Sequence, residues 1–293
     1  MIARLLTASL LLGAAACGGG GSSDGRVRVL AAAYPFAWAA EQVAGPDATV
    51  TNLVESGGEP HDIELAARQV QATRTASLVV YLKGFQPAVD DAVGDLDGRA
   101  RFDLAQVADV RPVRSGLDGA TAAGQDPHVW LDPKRMSAIV VEIARRLGAV
   151  DPDNASGYRT RAELAVGRLN ELDKAFASTL RTCARRELVT AHTAFGYLAE
   201  RYGLEQVGVT GLDPEAEPNP GRIAEVARYA RSRGVTTIYF ESLVDPKLAR
   251  TVADEIGATT AVLDPVEGVR DGADYLTVMR RNLTALAAGL DCT

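Results

Sequence analysis

The chain has 293 residues, 47% of them hydrophobic and 24% charged, with 31 basic against 38 acidic side chains and a formal charge of −7. That length accommodates about two domains with real cores. The apolar content excludes a disordered chain, and an acidic balance without blocks of like charge excludes a nucleic-acid-binding one.

The first segment reads as an export signal. Arg4 precedes an uncharged, mostly apolar run from Leu5 to Ala16, too short for a bilayer span of about twenty residues. Ala14, Ala15 and Ala16 lead to Cys17, then to Gly18–Gly21 and Ser22-Ser23. This arrangement resembles a bacterial lipoprotein signal, in which residues 1–16 are removed, Cys17 is acylated, and residues 17–26 form a flexible tether. No interior run of eighteen apolar residues follows, so no membrane span is expected in the mature chain. In an oxidising compartment the remaining cysteines, Cys183 and Cys292, are expected to pair.

Strands and helices then alternate. Val27–Ala33, Thr49–Val54 and Leu78–Leu82 have strand character, and Phe36–Val43, Leu65–Thr75 and Lys134–Leu147 have helical spacing. Later strands fit Glu187–Ala191, Gln206–Thr210, Val235–Phe240 and Thr259–Leu263. Later helices fit Phe195–Tyr202, Arg222–Ser232, Lys247–Ile256 and Tyr275–Leu290, with Gly203, Gly234 and Gly257 as stops. Such alternation predicts βαβ units and parallel sheets. Between the halves, Tyr158, Ala162, Ala165, Leu169, Leu172, Phe176 and Leu180 repeat at steps of four and three. The spacing predicts one continuous amphipathic helix over 154–181, roughly 42 Å long, with Asp151 as its N-cap. The fold expected is α/β: lobes at 27–150 and 184–293, joined by a rigid helical segment at 151–183.

In parallel sheets, ligands bind beyond the carboxyl ends of the strands. His61, His128 and His192 each lie at the start of a connection that leads into a helix, so facing lobes could bring all three to one cleft. Three imidazoles and a carboxylate make a four-coordinate zinc site. On topology alone the carboxylate stays open among Asp264, Glu241 and Glu59. Asp-Pro pairs recur in the chain and also start turns. No Walker loop, H-E-x-x-H, G-x-S-x-G or G-x-G-x-x-G motif is present.

Four stretches together carry a resemblance: Gly58-Glu59-Pro60-His61-Asp62, Asp126-Pro127-His128-Val129-Trp130-Leu131-Asp132, Thr190-Ala191-His192-Thr193-Ala194-Phe195-Gly196-Tyr197, and Ala261-Val262-Leu263-Asp264-Pro265. In this order they resemble the signatures of zinc- and manganese-binding solute-binding proteins of ABC importers. The resemblance implies two (β/α) lobes on one backbone helix, and metal ligands at His61, His128, His192 and Asp264. Glu59 and Glu241 are then supporting groups or alternative ligands. It also implies a permease and ATPase as partners, a lipid-anchored monomer, and an extracytoplasmic place, periplasmic or at the cell surface. Many zinc members carry a His-rich loop before the second motif, whereas Ser115–Gln125 is short and lacks histidine. Manganese members commonly have glutamate where His192 stands, so a third nitrogen favours Zn2+ as cargo over Mn2+ or Fe2+. The rivals are a secreted three-His zinc hydrolase and a receptor for a chelated solute.

Overall fold

The computed structural model describes residues 26–55, 58–114, 117, 121–242, 245–268 and 272–293. The expected signal peptide, Cys17 and nearly all of the tether lie outside them. Among the described residues no helix is long and apolar enough to cross a membrane.

In the first half the chain runs β1 (Val27–Ala31), α1 (Tyr34–Ala44), β2 (Ala48–Asn52), α2 (Ala67–Thr75), β3 (Leu78–Tyr81), α3 (Pro87–Val93), β4 (Arg101–Asp103), β5 (Pro112–Arg114) and β6 (Thr121–Gln125). Two helices follow, α4 (Pro133–Val150) and α5 (Ala155–Leu180). The second half continues with β7 (Glu187–Thr190), α6 (Gly196–Tyr202), β8 (Glu205–Gly208), α7 (Pro220–Ser232), β9 (Thr237–Phe240), α8 (Lys247–Ile256), β10 (Thr259–Val262) and α9 (Tyr275–Gly289).

Both main sheets share one plan. The first is ordered β2-β1-β3-β4 and the second β8-β7-β9-β10, with every pairing parallel. The opening strand of each half, β1 or β7, therefore sits inside with its successors on opposite sides. Crossovers leaving in opposite directions open a crevice at the strands' carboxyl ends. Leu78-Val79-Val80-Tyr81 is buried throughout, as a parallel strand covered on both faces must be.

The seven apolar residues at helical spacing are all buried on one face of α5, whose 26 residues make a rod of about 39 Å. Asp151 does not cap it. A 3-10 turn, Pro152–Asn154, intervenes, and the Asp151 carboxylate accepts from the Tyr158 hydroxyl at 2.7 Å and the Asn154 amide at 2.9 Å. Gly203 and Gly257 end α6 and α8 in the left-handed conformation. The antiparallel hairpin β5–β6 replaces part of what reads as loop in 115–125, of which 115–116 and 118–120 lie outside the described residues.

One hydrophobic cluster runs from the first sheet through α4 and α5 to Tyr239, Leu263, Tyr275, Met279 and Leu286. A smaller one, including Val189, Val207, Ile238 and Val252, lies under α7 and α8. The halves are thus joined by shared packing as well as by the rod. Cys183 and Cys292 form the expected disulfide, fastening the end of α5 to the segment after α9.

Candidate metal centre

Each histidine is held by its own backbone anchor. His61 lies between β2 and α2, where the buried Gln86 amide donates to the carbonyls of Pro60 (2.8 Å) and Ala32 (3.0 Å). His128 follows β6 and opens the 3-10 turn Val129–Leu131. His192 follows β7, and its carbonyl accepts from the Thr190 hydroxyl at 2.6 Å and the Gln206 amide at 3.3 Å.

The three rings converge with one carboxylate. His61 Nε2 lies 3.2 Å and His128 Nε2 3.1 Å from Glu267 Oε1, and His128 Nε2 lies 3.4 Å from His192 Nε2. One donor atom from each of the four residues falls within 4.8 Å of all the others. Tetrahedral zinc with Zn–N bonds near 2.05 Å has donor–donor edges of about 3.3–3.4 Å, so the residues fit such an ion. The same separations suit hydrogen bonds from protonated rings. His128 and His192 are fully buried and Glu267 is 2% exposed, while the His61 side chain keeps 15% of its surface. Solvent therefore reaches the cluster over His61.

The carboxylate in the cluster belongs to Glu267 and not to Asp264, the residue expected there. Asp264 instead builds the turn that presents Glu267. Its Oδ1 accepts the Val266 N–H at 2.7 Å, and Oδ2 accepts the Ser242 hydroxyl. Its backbone is fixed by reciprocal bonds to the Asn282 side chain at 2.9 and 2.7 Å. Val266 adopts φ +61°, a left-handed conformation that is costly for a β-branched residue. The signal for it in the sequence is the second acid on the same loop, two residues beyond an Asp-Pro pair that reads as a turn starter.

Glu241 and Glu59 also stand outside the quartet. Glu241, at the end of β9, bonds His192 Nδ1. Asp126 does the same for His128, with Oδ1 2.7 Å from Nδ1 and 3.0 Å from the backbone N–H. Such partners set which ring nitrogen faces a metal. Glu59 accepts the His61 backbone N–H at 2.8 Å.

These carboxylates determine the charge of the pocket. Burial disfavours a charged His128, but hydrogen bonds with Asp126 and Glu267 outweigh it and push its pKa up to about 9. Burial pushes the Glu267 carboxyl upward, yet His128 and His61 hold it well below the usual carboxylate range. Burial also lowers His61, against its bond to Glu267. For Glu59, burial and then the Glu267 charge raise the pKa to about 7. Aromatic rings wall the site: Phe85 meets His61 edge-on at 4.9 Å between centroids, and Trp130 lies 5.2 Å from His128. A mostly buried pocket with more carboxylates than cationic partners attracts a cation.

Residues 29–289 match the family described as ZnuA, zinc-uptake complex component A, periplasmic. The chain is 34% identical over 291 residues to the zinc-binding lipoprotein AdcA of Streptococcus pneumoniae, covering 94% of this chain and 58% of that protein. It thus spans about three fifths of the length of that relative. It is 33% identical over 286 residues to the high-affinity zinc uptake system protein ZnuA of Bacillus subtilis, covering 92% and 89%. The crystal structure of the Zn(II)-bound ZnuA-like domain of Streptococcus pneumoniae AdcA superposes with a TM-score of 0.77 at 34% identity, over 91% of this chain and all of that one.

Proposed function

The chain belongs to the ZnuA family, and from that premise we propose that it captures zinc outside the cytoplasm and delivers it to the permease and ATPase of an ABC importer. The observation that carries this is the meeting of His61, His128, His192 and Glu267, with their donor atoms within 4.8 Å of one another and three separations at 3.1, 3.2 and 3.4 Å. Three nitrogens and one carboxylate suit zinc better than manganese, which prefers oxygen. Four protein ligands suit a binding shell, whereas a catalytic zinc keeps three and a water. Of the acids that could serve as a general base, Glu241 is engaged with His192 and Glu59 with the His61 N–H. These features favour binding over bond chemistry. The same proposal includes a monomer anchored through lipid at Cys17, with lobes at 27–150 and 184–293 joined by 151–183.

Elemental analysis of the protein lacking residues 1–17, beside His192→Ala, tests the reading. About one zinc per chain, lost or much weakened in the variant, is expected. A chain that neither retains nor takes up zinc at neutral pH would overturn it.

A further inference from the structure

Glu267 follows β10, and the Asp264 turn ties its loop to the second half, but two further bonds tie the same loop to the first half. The Trp130 indole Nε1 donates to the Pro265 carbonyl at 2.6 Å, across 135 positions of sequence. The Tyr275 hydroxyl donates to the Trp130 carbonyl, also at 2.6 Å. Pro265 lies two residues before Glu267, Tyr275 opens α9 after it, and Trp130 lies two residues after His128. Trp130 and Tyr275 are wholly buried, so water does not substitute readily for either bond. Tyr275 is further stacked on Trp38 of α1, with centroids 4.5 Å apart. Between these attachments sits Val266 at φ +61°. A strained conformation of this kind persists only where its surroundings over-determine it.

Building on the metal-binding reading above, we propose that Trp130 is the positioning residue for the Glu267 ligand. Its indole N–H links the backbone two residues before Glu267 to the segment that carries His128, so the carboxylate is set against His128 as well as against the strand it follows. Phenylalanine at 130 would keep the ring and lose the donor. The Pro265 carbonyl would then be released and Glu267 would sample positions away from His61 and His128.

A double-mutant cycle on the metal-free protein tests this, using zinc titration against a chromophoric chelator. Trp130→Phe is expected to weaken zinc binding about ten- to hundredfold, the range for groups that orient ligands. In a Glu267→Gln background the same substitution is expected to cost less than about threefold, because the group it positions no longer ligates as a carboxylate. A residue that merely supports the fold would give equal losses in both backgrounds. Equal losses, or no loss in the native background, overturn the proposal while leaving zinc binding by the unsubstituted chain intact. Failure of the unsubstituted chain to bind zinc overturns the metal-binding reading as well, and is seen separately. If Trp130→Phe does not fold, 3-benzothienylalanine at position 130, which keeps the bicyclic ring and lacks the N–H, takes its place in both backgrounds, with the same outcomes read the same way.

Discussion

Asp126 and Gly196 belong to opposite halves of the chain, yet a Cβ on Gly196 would stand 2.7 Å from Asp126 Oδ2. The next residue reinforces the contact, since the Tyr197 hydroxyl donates to the Asp126 carbonyl at 2.9 Å. The acid that orients His128 is therefore seated on the start of α6, a few residues beyond His192. Only a residue without a side chain allows it there.

Gly196→Ala is accordingly expected to push Asp126 away from its place and turn the His128 ring. Zinc affinity should fall about tenfold or more, and overpacking should cost about 1–3 kcal/mol of stability. Gly167→Ala is the control. It lies on the exposed face of α5 with nothing within 4 Å of an added Cβ, and should stabilise the helix by about 0.5–1 kcal/mol. Chelator competition and thermal melts separate the two effects. Unchanged affinity in Gly196→Ala would show that Asp126 does not need this seat.

The identity of the fourth ligand gives a second prediction. Glu267→Gln removes the charge that faces His61 and His128 and should weaken zinc binding by an order of magnitude or more. Asp264→Asn retains an oxygen for the Val266 N–H and should keep affinity within a few-fold. The reverse ranking in paired zinc titrations would restore Asp264 to the metal.

Why the histidines were legible in the sequence and Glu267 was not has a physical basis. A rare residue at the start of each of three connections leading into a helix is a topological signal, and the 3.6-residue repeat marks both faces of α5 over its full length. Both are local patterns. The place of Glu267 depends instead on an Asx turn at Asp264, a left-handed Val266 and a bond from Trp130, none of which has a sequence period. The resemblance put the carboxylate at Asp264, and the cluster holds Glu267, three residues on in the same loop. Short elements were lost for a related reason: β4 and β5 have three residues each, too few to show an alternation. Asp151 likewise has the composition of an N-cap, but Tyr158, one turn into α5, competes for its carboxylate.

Protonation should compete with zinc over an unusual range. Burial opposes a charged His128, but Asp126 and Glu267 raise it to about 9 in the folded, metal-free protein. A raised histidine pKa stabilises the fold fully below its unfolded value near 6.5, and that contribution is lost as pH rises through 9. Zinc needs the free ring nitrogen and so must displace this proton. Affinity should therefore climb by about tenfold per pH unit between about 7 and 9, with about one proton released per zinc at pH 7.5. His61, lowered by burial, adds nothing in this window. Calorimetry in buffers of different ionisation enthalpy counts the protons. An affinity already level above pH 7 would mean that His128 titrates as an ordinary histidine.

The disulfide should matter to stability and not to the metal. Cys183 and Cys292 are 109 positions apart, and the chain-entropy account assigns a ring of that size about 4–5 kcal/mol. The bridge does not act alone. Ala184 and Arg185 donate backbone bonds to Asp291 and Leu290 at 3.1 Å each, and Thr182 donates its hydroxyl to the Thr293 carbonyl at 2.6 Å. Helix α9 also buries Tyr275, Leu276, Met279 and Leu286. The double variant Cys183→Ser, Cys292→Ser should therefore stay folded at 25 °C but melt roughly 10 °C lower, at about 2–4 °C per kcal/mol for a chain of this size. Neither cysteine belongs to the ligand quartet or bonds its orienting acids, so zinc affinity should change by less than about threefold. A tenfold loss of affinity in the folded variant would show instead that the tie at the far end of α9 is transmitted to Tyr275 and the Glu267 loop.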